Sequence, residues 1–118
     1  MDKKAKQHSH AILKSKTMLE LQRLFPTALI ENSPTGSFFT ESGAPIKVGN
    51  KGKADITAII LGRGVEIEIK VQGDRQSQDQ KDRQKKIERA GGVYLLVRDT
   101  VSTLHQGLVS WGFDISGR

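Results

Sequence analysis

The chain has 118 residues, no cysteine, a formal net charge of +6 and a pI near 9.8. It suffices for one domain, 1–118, excludes disulfides and thiolate metal sites, and carries no apolar run of the roughly 18 residues that a membrane span needs. The positive charge calls for a polyanionic partner, nucleic acid first and an acidic membrane surface second.

Residues 1–10, MDKKAKQHSH, are polar and basic. They read as a basic N-terminal arm or an early helical turn, without the apolar block of a signal peptide, and a cytoplasmic location is expected. Lys3, Lys4, Lys6, Lys14 and Lys16 are candidate phosphate contacts; a solvated tail is the plain alternative. Residues 11–25 carry Ile12, Leu13, Met18, Leu19, Leu21, Leu24 and Phe25 at helical spacing, and Pro26 ends the run. Glu20 lies within this helix as a candidate further ligand for metal or water. Short strands are expected over 27–31, 38–40 and 46–48, separated by turn residues. Leu29, Ile30, Phe38 and Phe39 are apolar in segments too short for one small core, which favours a homodimer that buries them. The following loop, 49–53, holds Lys51 and Lys53 and no acid, and with Lys47 suits a phosphate backbone.

Residues 55–61 and 65–71 read as two strands of a hairpin around Gly62-Arg63-Gly64. The second strand alternates: Val65, Ile67, Ile69 and Val71 share one face, and Glu66, Glu68 and Lys70 the other. Charges on a covered face must be paired, exposed or metal-bound. For Asp55 to join Glu68 and Lys70, Asp55 is expected to oppose Lys70, and Thr57 to oppose Glu68, across a Gly62-Arg63 turn or a four-residue loop. Glu66 is expected at the periphery, paired with Arg63 or Arg75.

A loop, 72–76, leads to Ser77 and Gln80, which fit a capping box for a helix running to about residue 90 and closed by Gly91-Gly92. Its inward stripe runs from Ile87 back through Arg83 or Gln84 to Gln80, turning polar toward the N-terminus, as beside a wet site. Residues 93–97 read as a buried central strand and 101–111 as a last helix on Val101, Leu104, Leu108 and Trp111. His105 beside that face reads as a packed or surface histidine.

The residues that carry chemistry are then Asp55, Glu68 and Lys70, with Gln80 behind them. Two carboxylates with water, substrate oxygens and the Ile69 carbonyl suit Mg²⁺, a hard cation that rarely has an all-protein cage. Lys70 is placed to orient a water and offset charge on a phosphate, and Gln80 to hydrogen-bond that water.

The order Asp55, then Glu68-Ile69-Lys70, resembles the PD-(D/E)XK nuclease superfamily. The continuation through Asp74-Arg75, Ser77 and Gln80 to Gly91-Gly92 and an apolar strand is similar to its virus-type replication-repair nuclease (VRR-NUC) family, over roughly residues 49–109. Ala54 stands where the superfamily signature has proline. The resemblance implies an α/β, restriction-endonuclease-like core: an N-terminal helix and a mixed central sheet of about four to five strands flanked by helices. It also implies Mg²⁺- or Mn²⁺-dependent cleavage of branched or structured DNA, as at a four-way junction or flap, in replication, recombination or repair. Asp55 and Glu68 would be metal ligands, Lys70 the catalytic lysine and Gln80 the family's glutamine; Arg75 and Ser77 would lie along the nucleic acid. A Glu on the first helix often joins such sites, which is the loose match to Glu20. Stand-alone proteins of this type tend to be two-fold dimers in the cytoplasm of a bacterial or phage-infected cell. A basic nucleic-acid-binding protein without catalysis, and a nuclease acting on RNA, fit the same residues.

Overall fold

The computed structural model describes residues 3–33, 36–39, 45–48 and 52–116, with backbone alone for 36–39 and 45–48. Element order is α1 (Lys3–Leu24), β1 (Leu29–Asn32), β2 (Gly36–Phe39), β3 (Pro45–Val48), β4 (Ile56–Ile60), β5 (Arg63–Lys70), α2 (Gln78–Arg89), β6 (Val93–Arg98) and α3 (Ser102–Ser110). The main sheet runs β1-β4-β5-β6; β2 and β3 form a separate antiparallel pair. β1, β4 and β5 are successive antiparallel neighbours, and β6 joins β5 in parallel through the α2 crossover.

Strand alternation divides the molecule into two layers. Ile56, Ala58 and Ile60 of β4, Val65, Ile67 and Ile69 of β5, and Val93, Leu95 and Val97 of β6 form one buried cluster with Leu13, Leu21 and Leu24 of α1 and Leu104 and Leu108 of α3. The other face carries Glu66, Glu68 and Lys70, and α2 covers it through Gln80 and Arg83. α2 opens with the expected capping box, and at its far end Gly91 N–H donates to the Glu88 carbonyl and Gly92 N–H to that of Ile87, a Schellman closure.

Four expectations change. Residues 3–10 are no arm: the helical alternative holds through all of them and makes them the first turns of α1, since nothing before Pro26 breaks the helix. The buried stripe of α1 is narrower than its apolar composition, Leu13, Thr17, Leu21 and Leu24, and leaves Ile12 and Leu19 exposed. Thr17 is tolerated in it because its hydroxyl donates to the Leu13 carbonyl at 2.8 Å. Among the described residues β6 lies at the edge of the sheet rather than at its centre; its apolar sequence reflects cover by α2 and α3 on its two faces.

The fourth change is the hairpin register. Ile60 pairs with Arg63, so the turn is Leu61-Gly62, with φ of 50° and 81°. Two positive φ angles make a type I′ turn, whose twist matches the strands. Thr57 opposes Glu66, and the register carried one step on sets Asp55 opposite Glu68 rather than Lys70. A slip of two preserves face, where a slip of one would have reversed it. The moved turn also makes Arg63 a strand residue. Its guanidinium donates to the Trp111 carbonyl at 2.8 Å and lies 4.4 Å from the centre of the Phe113 ring.

Candidate active site

β4 begins at Ile56, so Asp55 is just outside the ladder and its side chain takes over as a strand partner. Asp55 Oδ2 accepts the Ile69 N–H at 2.8 Å. N–H and C=O of one strand residue leave on the same side, so the Ile69 carbonyl is directed to the Asp55 side of β5. Asp55 also lies close enough to Glu68 for its charge to act on the Glu68 carboxyl. Lys70 is two residues further on the same face, with Nζ 3.8 Å from Glu68 Oε1.

The capping box aims Gln80. Its Oε1 accepts the Ser77 N–H at 2.9 Å, which leaves the amide NH₂ to point away from the cap. Nε2 donates to Glu68 Oε1 at 3.0 Å. The motif that starts α2 thus also fixes which end of Gln80 meets the carboxylate.

Glu68 is 3 % exposed. Burial, then the neighbouring Asp55, push its pKa up to about 8, against a smaller opposing pull from Lys70. Glu68 therefore holds a proton at neutral pH with these neighbours alone. Its Oε2 is buried with no hydrogen-bond partner among the described residues. The Tyr94 hydroxyl, on the same face, is likewise buried without one, and its pKa is raised to about 12, chiefly by burial.

A solved structure described as a VRR_NUC domain matches with a TM-score of 0.62 and 13 % identity, over 89 % of this chain and 98 % of that one. The chain has the fold of a VRR_NUC domain. No protein-family model and no curated protein matches the sequence.

A divalent cation fits the donors this VRR_NUC fold brings together. Two carboxyl groups share one face, one buried carboxylate oxygen lacks a partner, and a backbone carbonyl is directed to the same side. All are oxygen donors, which suits a hard cation. Among the described residues, no third His, Asp or Glu completes a cluster able to hold a metal.

The remaining expected residues fall in three places. Glu20 is not at the site. Both its oxygens are held by Arg23, at 2.6 and 2.9 Å, and Oε2 also meets His105 Nε2 at 2.5 Å. It stands about 15 Å along α1 from the turn that does reach Asp55. Arg23 and His105 hold its pKa down to about 2. Lys3 and Lys4 are exposed on the first turn of α1, while Lys6 pairs with Asp74 at 2.6 Å. Lys53 precedes Asp55, Arg75 is exposed in the loop before α2, and the Ser77 hydroxyl is occupied by the Gln80 N–H. Lys51 and the side chain of Lys47 lie outside the described residues.

Two residues have places that the sequence did not indicate. His10 of α1 has Nε2 3.4 Å from Asp55 Oδ2. Lys6, His10, Leu13 and Thr17 follow one another at helical spacing, so the inward stripe of α1 turns polar where it passes the core; reading residues 3–10 as helix reveals it. Glu66 is 6 % exposed, not peripheral, and its partner is Arg83, at 3.1 and 2.6 Å, rather than Arg63 or Arg75. Nothing local in the sequence marks a partner 17 residues away.

Proposed function

We propose that the protein is a metal-dependent nuclease that hydrolyses phosphodiester bonds in DNA, with Mg²⁺ or Mn²⁺ as cofactor. The carrying observation is the convergence of Asp55, Glu68 and Lys70 on one face, with Glu68 Oε2 buried and without a partner among the described residues. Asp55, Glu68 and the Ile69 carbonyl would hold the cation, which when bound polarises the phosphodiester and lowers the pKa of a water. Gln80 fixes the orientation of Glu68 through Oε1 and leaves Oε2 for the cation. Lys70, two residues from Glu68 on the same face, orients the attacking water and offsets charge growing on the phosphate. Ile69 N–H and His10 restrain Asp55 from two sides.

The substrate is read as branched or structured DNA, engaged through Lys3, Lys4, Lys53 and Arg75, with Lys47 and Lys51 as further contacts. A two-fold dimer would set two sites on one junction. Leu29 and Ile59, directly opposed across β1 and β4, are 55 % and 52 % exposed, and such a pair supports a second copy on that face. Light scattering of Leu29→Glu and Ile59→Glu beside the wild type tests the dimer; a monomeric wild type refutes it.

The deciding assay is purified protein with Mg²⁺ or Mn²⁺ against duplex, flap, four-way junction and single-stranded DNA, and against RNA. Cleavage that needs the metal and is lost in Glu68→Ala is expected. Cleavage surviving in that variant, or none on any substrate, removes the reading. Strand cleavage confined to RNA would move the substrate while keeping the chemistry.

A further inference from the structure

We propose that Glu66 is a positioning residue. With Arg83 it holds in place the two elements that deliver Asp55 and Gln80 to Glu68, and the cation affinity of the site depends on that hold. The cation in this statement rests on the nuclease reading above; the staple itself stands on its own geometry.

Glu66 is on the face of Glu68, roughly 7 Å back along β5. Its Oε1 accepts from Arg83 Nε at 3.1 Å and its Oε2 from a terminal Arg83 nitrogen at 2.6 Å, a fork-on-carboxylate pair. Arg83 is one helical turn beyond Gln80. Oε1 also accepts the backbone N–H of Ala54, through a longer contact of 3.4 Å. Ala54 is fully buried and immediately precedes Asp55. One carboxylate thus joins β5, α2 and the segment that carries Asp55.

The same segment touches α2 a second time. Gly52, at φ +73°, lies so close to the first turn of α2 that a Cβ there would sit 2.2 Å from the Asp79 carbonyl oxygen. The residue before Asp55 also matters. A proline at that place would have no N–H to give Glu66. In this chain alanine supplies the donor. Both oxygens of Glu66 are already occupied by donors, so Glu66 acts through its neighbours and not as a ligand.

Electrostatics and positioning predict opposite signs for one substitution. Arg83→Gln removes a positive charge near the carboxylates, and a site governed by its field alone would then bind a cation more tightly. If the fork positions α2, affinity falls instead, by about tenfold or more, as for other outer partners of metal ligands.

The experiment titrates Mn²⁺ into the full chain, reading free Mn²⁺ by electron paramagnetic resonance, for wild type, Arg83→Gln and Arg83→Lys. Backbone hydrogen exchange is followed on the same metal-free samples. Expected are a tenfold or greater loss of affinity in Arg83→Gln and faster exchange in both 52–55 and 78–84, with β5 and β6 as protected as in the wild type. Unchanged or tighter Mn²⁺ binding overturns the proposal, as does exchange that quickens in α2 alone. Arg83→Lys keeps the charge and loses the fork. It is expected to lose affinity too, it serves as the test if Arg83→Gln fails to fold, and wild-type affinity in it also overturns the proposal. A wild type that binds no Mn²⁺ removes the metal reading and the affinity half of the proposal, while the exchange measurement still decides the staple.

Discussion

Replacing Glu68 with glutamine is expected to make the metal-free protein more stable at alkaline pH while abolishing cleavage. In the folded protein Glu68 keeps its proton up to about pH 8; an unperturbed glutamate releases it near 4.5. Between those values the folded state binds more protons than the unfolded chain. The stabilisation from the protonated group is therefore complete below 4.5 and is lost as pH rises toward 8. A shift of this size, at about 1.4 kcal/mol per pH unit, corresponds to about 4–5 kcal/mol lost across that window. Glutamine cannot ionise, and its carbonyl can still accept the Gln80 NH₂, so its stability lacks this component. Urea denaturation in chelator from pH 5 to 9 checks the reasoning. The two proteins should agree near pH 5 and diverge above it, the variant ending more stable by a few kcal/mol. Saturating Mn²⁺ should close the gap by stabilising the wild type alone, by about 2.7 kcal/mol at a hundred times the dissociation constant. Parallel pH curves for the two proteins would refute the assignment of Glu68 as a buried, protonated carboxyl.

Lys70→Ala is expected to keep metal and DNA binding and to lose cleavage, because the ammonium acts on charge that develops in the transition state; wild-type single-turnover rates would reject that role. Glu20→Gln should leave Mn²⁺ affinity and cleavage unchanged, and a tenfold loss of either would return Glu20 to the site. Leu61, exposed at φ 50°, should gain about 1 kcal/mol of stability on substitution with glycine or asparagine, read as a rise in denaturation midpoint; a fall would contradict the type I′ turn. Removing residues 1–6 should reduce the slope of log K against log salt by up to about 2.7 if Lys3, Lys4 and Lys6 each contact a phosphate, and an unchanged slope would exclude all three.

The parts of the fold legible in the sequence are those fixed by local rules. The alternation of 65–71 placed Glu66, Glu68 and Lys70 on one face because a strand has only two faces. The Ser77/Gln80 spacing marked the start of α2 because a capping box is complete within four residues. Where the outcome depended on distant groups, the sequence was silent. The turn moved by one residue to Leu61-Gly62, where a positive-φ leucine is tolerated and Arg63 reaches Trp111 and Phe113. β6 has the composition of a central strand because cover by helices looks the same, in sequence, as cover by neighbouring strands.

The candidate site shows the same division, and it explains why the acidic face sits where it does. The inward stripes of α1 and α2 are both apolar at one end and polar at the other: Leu13 to Leu24 against Lys6 and His10 in α1, Ile87 against Arg83 and Gln80 in α2. In each helix the polar end is the N-terminal one, and both polar ends converge on Asp55 and Glu68. For α2 the gradient was readable, since Gln80 and Ile87 lie within one helix. For α1 it was not, because the basic composition of residues 1–10 imitates a tail, and only the helix running through them turns His10 toward Asp55. Glu66 is the limiting case. Its face was legible, and its role depends on a fork from α2 and an N–H from the segment before Asp55, two partners that the chain brings together only by folding.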